Sequence, residues 1–139
     1  MAQRVRDIMT SQLVTVEPQA SVSAVARKMR DENVGAVLVT EGEELRGLVS
    51  DRDLVVRALA EGGDPEQKTV AAACSSDLVT VTPDEDLDHA VALMRERAVR
   101  RLPVVEDGRA VGIVSLGDMA IERDAESALG DISAAKSNR

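Results

Sequence analysis

Gly47-Leu48-Val49-Ser50-Asp51-Arg52-Asp53 is matched, sixty-five positions further along, by Gly112-Ile113-Val114-Ser115-Leu116-Gly117-Asp118. Each copy is a glycine, two branched apolar residues and Ser-x-x-Asp, leading into an apolar-patterned segment. Serine is a good helix N-cap, and a carboxylate three positions on sits in the first helical turn, where the helix dipole favours it. A well-capped helix accounts for either copy alone. Capping does not account for the shared glycine and apolar lead-in.

The register extends well beyond this motif. At the same offset, and without a gap, Leu13-Val14-Thr15-Val16-x-Pro18 matches Leu78-Val79-Thr80-Val81-x-Pro83, and Met29-Arg30 matches Met94-Arg95. Val34, Val39 and Glu41 match Val99, Val104 and Glu106. A long, gap-free period marks one supersecondary unit duplicated. Two copies predict a pseudo-twofold pair that buries a shared face and carries two related clefts.

Each copy reads β-α-β-β-α. Residues 4–10 predict a short helical lead-in, and Val14–Val16 a strand ended by Pro18. Ser21 caps a helix whose apolar face is Val22, Val25, Ala26 and Met29. Ala36-Val37-Leu38-Val39 is an unbroken apolar run of strand length, expected to be buried on both sides. A turn at Glu41-Gly42-Glu43 leads to the returning strand Leu45–Val49. Ser50 then caps a helix through about Ala60, with Leu54, Val55, Ala58 and Leu59 inward. Glu61-Gly62-Gly63-Asp64-Pro65 is the clearest break. In the second copy Val79–Val81 is a strand ended by Pro83. Asp84 or Asp86 caps a helix with the face Leu87, Ala90, Val91 and Met94. Leu102–Val105 and Val111–Val114 are strands joined by a tight Asp107-Gly108 turn. A last helix follows Ser115, with a break at Gly130 and a frayed end from Ser133. The expected division is a first repeat over 5–60, a linker over 61–69, a second repeat over 70–123 and a C-terminal helical extension over 124–139.

Composition narrows the function. The chain has 139 residues, 44% of them hydrophobic, and no Phe, Tyr or Trp, so its core must be aliphatic. A net charge of −8 argues against nucleic acid and anionic membrane as partners, since both need a basic footprint. No apolar run approaches the ~18 residues that span a bilayer, and the N-terminus lacks a signal-peptide pattern. Cys74 is the only cysteine, which excludes an internal disulfide and fits a reducing cytoplasm. His89, the only histidine, has no partner at zinc-ligand spacing and reads as a solvent-facing helix position. No nucleophile–base pair or phosphate-binding glycine loop is present, so the chain does not read as an enzyme.

The order LVTV-x-P, amphipathic helix, short strand, hairpin and Gly-apolar-apolar-Ser-x-x-Asp, twice in tandem, resembles a CBS-domain pair, or Bateman module. The resemblance covers residues 5–123. In overall plan the chain is similar to the small stand-alone two-CBS proteins of bacteria. The resemblance implies an α+β fold in which each repeat folds as a small sheet with helices on one face, the two packed about a pseudo-twofold axis.

It also implies a ligand. In this family the aspartate of Ser/Thr-x-x-Asp accepts hydrogen bonds from the ribose hydroxyls of an adenosine ligand, and the hydroxyl residue faces phosphate or ribose. Ser50 and Asp53, and Ser115 and Asp118, carry this over. A basic residue opening the middle strand reaches the phosphates, which nominates Arg100 and Arg101 in the second repeat; the alternative is a pair of solvated arginines. The first repeat has Gly35 and Ala36 there, and instead has Arg52, either a phosphate ligand or an ion-pair partner of Asp51. The family builds each pocket partly from the segment leading into the other repeat. That nominates Met9, Thr10 and Val14 beside Asp118, and Cys74, Ser75 and Val79 beside Asp53, although Met9 and Val14 equally suit a core and Cys74 a small buried filler. Without aromatic rings, adenine would lie between aliphatic side chains.

The resulting expectation is a non-enzymatic regulatory module. It needs no cofactor, binds AMP, ADP, ATP or a related metabolite, forms a homodimer through helix faces, and signals to a protein partner. The alternative is a ligand-independent scaffold with vestigial clefts.

Overall fold

The computed structural model describes residues 3–74 and 78–123. They fall into two compact units, one from residues 13–78, the other from the N-terminal segment up to Gln12 together with the chain from Val79 onward. The second unit therefore takes its leading segment from before the first repeat, while the first unit is continuous.

In the first unit, β1 (Thr15–Val16) pairs in parallel with β2 (Ala36–Glu41), which pairs antiparallel with β3 (Glu44–Ser50). Between β1 and β2 runs α2 (Val22–Glu32), numbered after a short N-terminal helix α1 (Val5–Ile8) that belongs to the second unit. Ser21 caps α2 by accepting from the Ala24 amide at 3.0 Å, and Asn33 ends it in the left-handed conformation. Val22, Val25 and Met29 pack on Val37, Val39 and Val49. Leu38, on the opposite face of β2, is buried as well, so the apolar run is covered on both sides. A short 3-10 turn at Val70–Ala72 seals this core with Val70 and Ala73. The segment before it is tied down through Lys68, whose carbonyl accepts from the Val22 amide, and through a bridge between Ser21 and Thr69.

The helix after Ser50 departs from expectation. Only one turn is α-helical (α3, Asp51–Asp53); it continues as a π turn at Leu54–Ala58 and a 3-10 turn at Leu59–Glu61. Leu54 and Ala58 are buried, whereas Val55 (56% exposed) and Leu59 (51%) face outward. The Leu59 amide donates to both Leu54 and Val55 carbonyls, which widens the rung and leaves a buried stripe only two residues across.

The second unit repeats the plan. α4 (Leu87–Arg97) lays Leu87, Ala90 and Met94 against β4 (Arg101–Glu106) and β5 (Arg109–Ser115), and α5 (Leu116–Arg123) follows. Asp107 and Gly108 both have positive φ (54° and 79°), as a two-residue type I′ turn requires. The first strand expected at Val79–Val81 is reduced to one parallel bridge, Val81 to Val104, because only Val81 exchanges hydrogen bonds with β4. Its neighbour is α1. The Val5 and Arg6 amides donate to Glu85 and Pro83 carbonyls, and Val5 is fully buried. Asp86 is the N-cap residue of α4, without a side-chain cap bond. The expected break at Gly130 and the extension over 124–139 lie outside the described residues.

α4 ends on Ala98 at φ 54°, the position where α2 has Asn33 at φ 55°. A left-handed alanine is strained by about 1–2 kcal/mol, and glycine is not. Ala98 is exposed, so nothing is lost with its methyl group. Ala98→Gly is expected to raise stability by about 1 kcal/mol in a denaturant melt, and a destabilised variant would contradict this account of the helix end.

Candidate functional site

Both Ser-x-x-Asp motifs fold as reciprocal capping boxes. Ser115 Oγ accepts from the Asp118 amide at 3.1 Å, and Asp118 Oδ2 accepts from the Ser115 amide at 2.9 Å. Ser50 and Asp53 repeat this with the same two distances. The capping role is thus real, and it uses one oxygen of each carboxylate. Asp118 Oδ1 has no hydrogen-bond or ion-pair partner among the described residues. Asp53 Oδ1 lies 3.8 Å from Arg57 Nε, one helical turn on. Arg57 was not singled out from the sequence, although its i, i+4 spacing from Asp53 was the available signal.

The glycine that opens the second motif has a steric cause. A Cβ on Gly112 would come within 2.6 Å of Met9 Sδ and 3.1 Å of the Thr10 carbonyl. The absent side chain lets the N-terminal segment cross β5, where Thr10 and Ile113 exchange two backbone hydrogen bonds at 2.9 and 3.0 Å. Met9 and Thr10 are thereby fixed two to three residues before Ser115, in the unit of Asp118.

The two arginines opening β4 part company. Arg101 pairs with Ser115 in the β4–β5 register, and directly opposed residues share a sheet face. Leu102, Val104 and Val114 fill the core on the helix side, so Arg101 and Ser115 face the other way. Arg100 instead lines an apolar cleft of about 600 Å³ with Arg95, Met94, Leu116 and Met119, on the helix side. In the first unit the partner of Ser50 is Ala36, which carries no charge. A second depression of about 600 Å³, lined by Thr15, Gln19, Lys28 and Thr40, lies toward the far end of β2 from Ser50.

The remaining nominated residues divide as follows. Arg52 is exposed, and it is its backbone amide that bonds Asp51, at 2.8 Å from Oδ1. Val14 packs on the first core, its carbonyl accepting from the Leu38 amide, and Val79 packs on the second. Cys74 is half-buried, its thiol 3.6 Å from the Ala71 carbonyl. Burial, and then the Asp53 charge, hold its pKa above the usual thiol value, against the opposing pull of its own backbone hydrogen bond and of Arg57. Cys74 is therefore within electrostatic reach of Asp53. Ser75 lies outside the described residues. His89 is exposed and pairs with Glu85 at 3.0 Å.

Comparison with known proteins gives the family and the fold. The CBS domain pattern matches residues 5–59 and again 70–123. The chain belongs to the CBS-domain family. It is 41% identical over 133 residues to CBS domain-containing protein YhcV of Bacillus subtilis, covering 93% of this chain and 94% of that one. It is 33% identical over 116 residues to Hypoxic response protein 1 of Mycobacterium tuberculosis, covering 83% and 81%. Among solved structures it resembles Hypoxic Response Protein I with two coordinated zinc ions (TM-score 0.77, 32% identity, 85% of this chain and 97% of that one). It shares the fold of the CBS domain pair of MJ0100, solved with 5′-methylthioadenosine and S-adenosyl-L-methionine (TM-score 0.81, 24% identity, 91% and 100%). A CBS pair is a regulatory module and not a catalytic one. Among the described residues of this chain, no group of three His, Cys, Asp or Glu is placed to hold a metal, and no helix is long and apolar enough to cross a membrane.

Asp53→Asn keeps an acceptor for the Ser50 amide and removes the charge that Cys74 feels. Alkylation of Cys74 followed against pH should shift to lower pH in this variant. An unchanged profile would contradict the proximity of Asp53 to the thiol.

Proposed function

We propose that this CBS pair is a regulatory sensor that binds an adenosine-containing ligand, such as AMP, ADP or ATP, at its Ser-x-x-Asp motifs. The observation that carries the reading is the open Oδ1 of Asp118 on a carboxylate already held rigid by its capping box, in the same unit as Arg101, which has no partner among the described residues. A fixed carboxylate oxygen is an acceptor for a ribose hydroxyl, and a guanidinium bonds two phosphate oxygens at once. Thr10, held across β5 by its two backbone bonds to Ile113, offers a polar wall, while Met9 packs on the core of the same unit. At the other motif the corresponding ligand would meet Asp53, Cys74 and Arg57, with Arg52 at the exposed edge.

The ligand acts by favouring one arrangement of the module over another, and the signal passes to a protein partner in the cytoplasm. The module works as a homodimer. Support for this comes from exposed Val55, Val56 and Leu59 on the first unit and Leu116 (44% exposed), which edges the apolar cleft of the second. The same exposed apolar residues favour a second reading, a ligand-independent scaffold that uses these faces alone.

Asp118→Asn separates the two roles of the carboxylate, because an amide oxygen still accepts from the Ser115 amide. Calorimetry with ATP should show binding at this site weakened by about 1.5–3 kcal/mol, the worth of a hydrogen bond to a charged group, with the melting temperature little changed. Undiminished ATP binding would contradict the ribose assignment. No binding of any adenosine ligand to the parent would favour the scaffold.

A further inference from the structure

We infer that the two Ser-x-x-Asp sites sort adenosine ligands by their phosphates: the Ser115–Asp118 site takes phosphorylated adenosine, and the Ser50–Asp53 site takes adenosine derivatives that carry no phosphate. The inference rests on the adenosine reading above and goes beyond it by giving the sites different ligands.

The two sites share the strand register and the capping box, and they differ in side chains at matched places. The residue paired with the serine is Arg101 in the second unit and Ala36 in the first. Arg101 stands on the face of Ser115, away from the core formed by Leu102 and Val114, and makes no ion pair among the described residues. At the first site that face offers no cation from the strand. The cations there sit on the helical segment, and each is beside an acid. Arg57 faces Asp53 Oδ1 at 3.8 Å, and Arg52 is exposed and follows Asp51. Asp51 takes the sequence place of Leu116, so the first motif carries a second carboxylate at the start of its helix where the second motif has an apolar residue. An incoming phosphate would find no unpaired guanidinium on the sheet face, and the second carboxylate at the helix start does nothing to offset that lack. A neutral or sulfonium-bearing nucleoside meets no such penalty. Cys74, half-buried and with its thiol pKa pushed up by burial, adds an uncharged, polarisable surface within electrostatic reach of Asp53.

The test titrates the full chain with AMP and with adenosine by calorimetry, in the parent and in Asp53→Asn, Asp118→Asn, Arg101→Ala and Ala36→Arg. AMP affinity should fall about tenfold or more in Asp118→Asn and in Arg101→Ala, the loss expected for a charge-assisted bond, and stay unchanged in Asp53→Asn. Adenosine should keep one site in Arg101→Ala and lose that site in Asp53→Asn. Ala36→Arg should give AMP a second site, a gain that a damaged fold cannot imitate. AMP binding equally sensitive to Asp53→Asn and Asp118→Asn, or indifferent to Arg101→Ala, would overturn the sorting while leaving adenosine binding intact. A parent that binds neither ligand would overturn the adenosine reading itself and the sorting with it.

Discussion

The reciprocal bonds between Ser115 and Asp118, repeated at Ser50 and Asp53, are the constraint on which the rest of the molecule turns. Each box satisfies two backbone amides, one from either partner, that would otherwise lack an acceptor where strand gives way to helix, and such caps contribute about 1 kcal/mol apiece. Each also immobilises a carboxylate; Asp53 turns its second oxygen to Arg57, whereas Asp118 keeps one oxygen to spare. A ligand that uses this oxygen does not have to order the side chain first, so preorganisation comes from the same atoms that terminate the strand. Fold and proposed site are therefore not separable by deleting the aspartate, and only an isosteric amide distinguishes them.

A second constraint follows from the aliphatic composition. With no aromatic side chains, each core is filled by branched aliphatics and methionine, and small residues admit close backbone approach. Gly112 is the clearest case, since the N-terminal segment occupies the space its side chain would need. That contact explains the glycine that opens the second copy of the motif, which capping alone does not. It also draws α1 into the unit of the second repeat, while Val70 and Ala73 close the core of the first.

The features legible in the sequence were those fixed by local chemistry. Ser21 as a cap, Asp107-Gly108 as a primed turn and the doubly covered run from Ala36 to Val39 each follow from a few neighbouring residues. Less legible was whatever depended on parity or on a change of helical pitch. Arg100 and Arg101 are adjacent and chemically identical, yet Arg100 stands just before β4 and lines the helix-side cleft while Arg101, the first strand residue, faces the other way. Val55 and Leu59 fit an α-helical stripe, and the π turn beginning at Leu54 removes them from it. Val79–Val81 has strand composition, but only Val81 finds a partner on β4. The Asp53–Arg57 pair had a clear spacing signal that the stronger motif beside it overshadowed.

The most direct test of the central claim is a crystal structure of the protein grown with a saturating adenosine nucleotide. The account predicts a ribose hydroxyl within hydrogen-bond distance of Asp118 Oδ1, with the Ser115–Asp118 capping box intact and the Arg101 guanidinium on phosphate oxygens. A nucleotide bound elsewhere, or a carboxylate that must break its cap to reach the ribose, would contradict it.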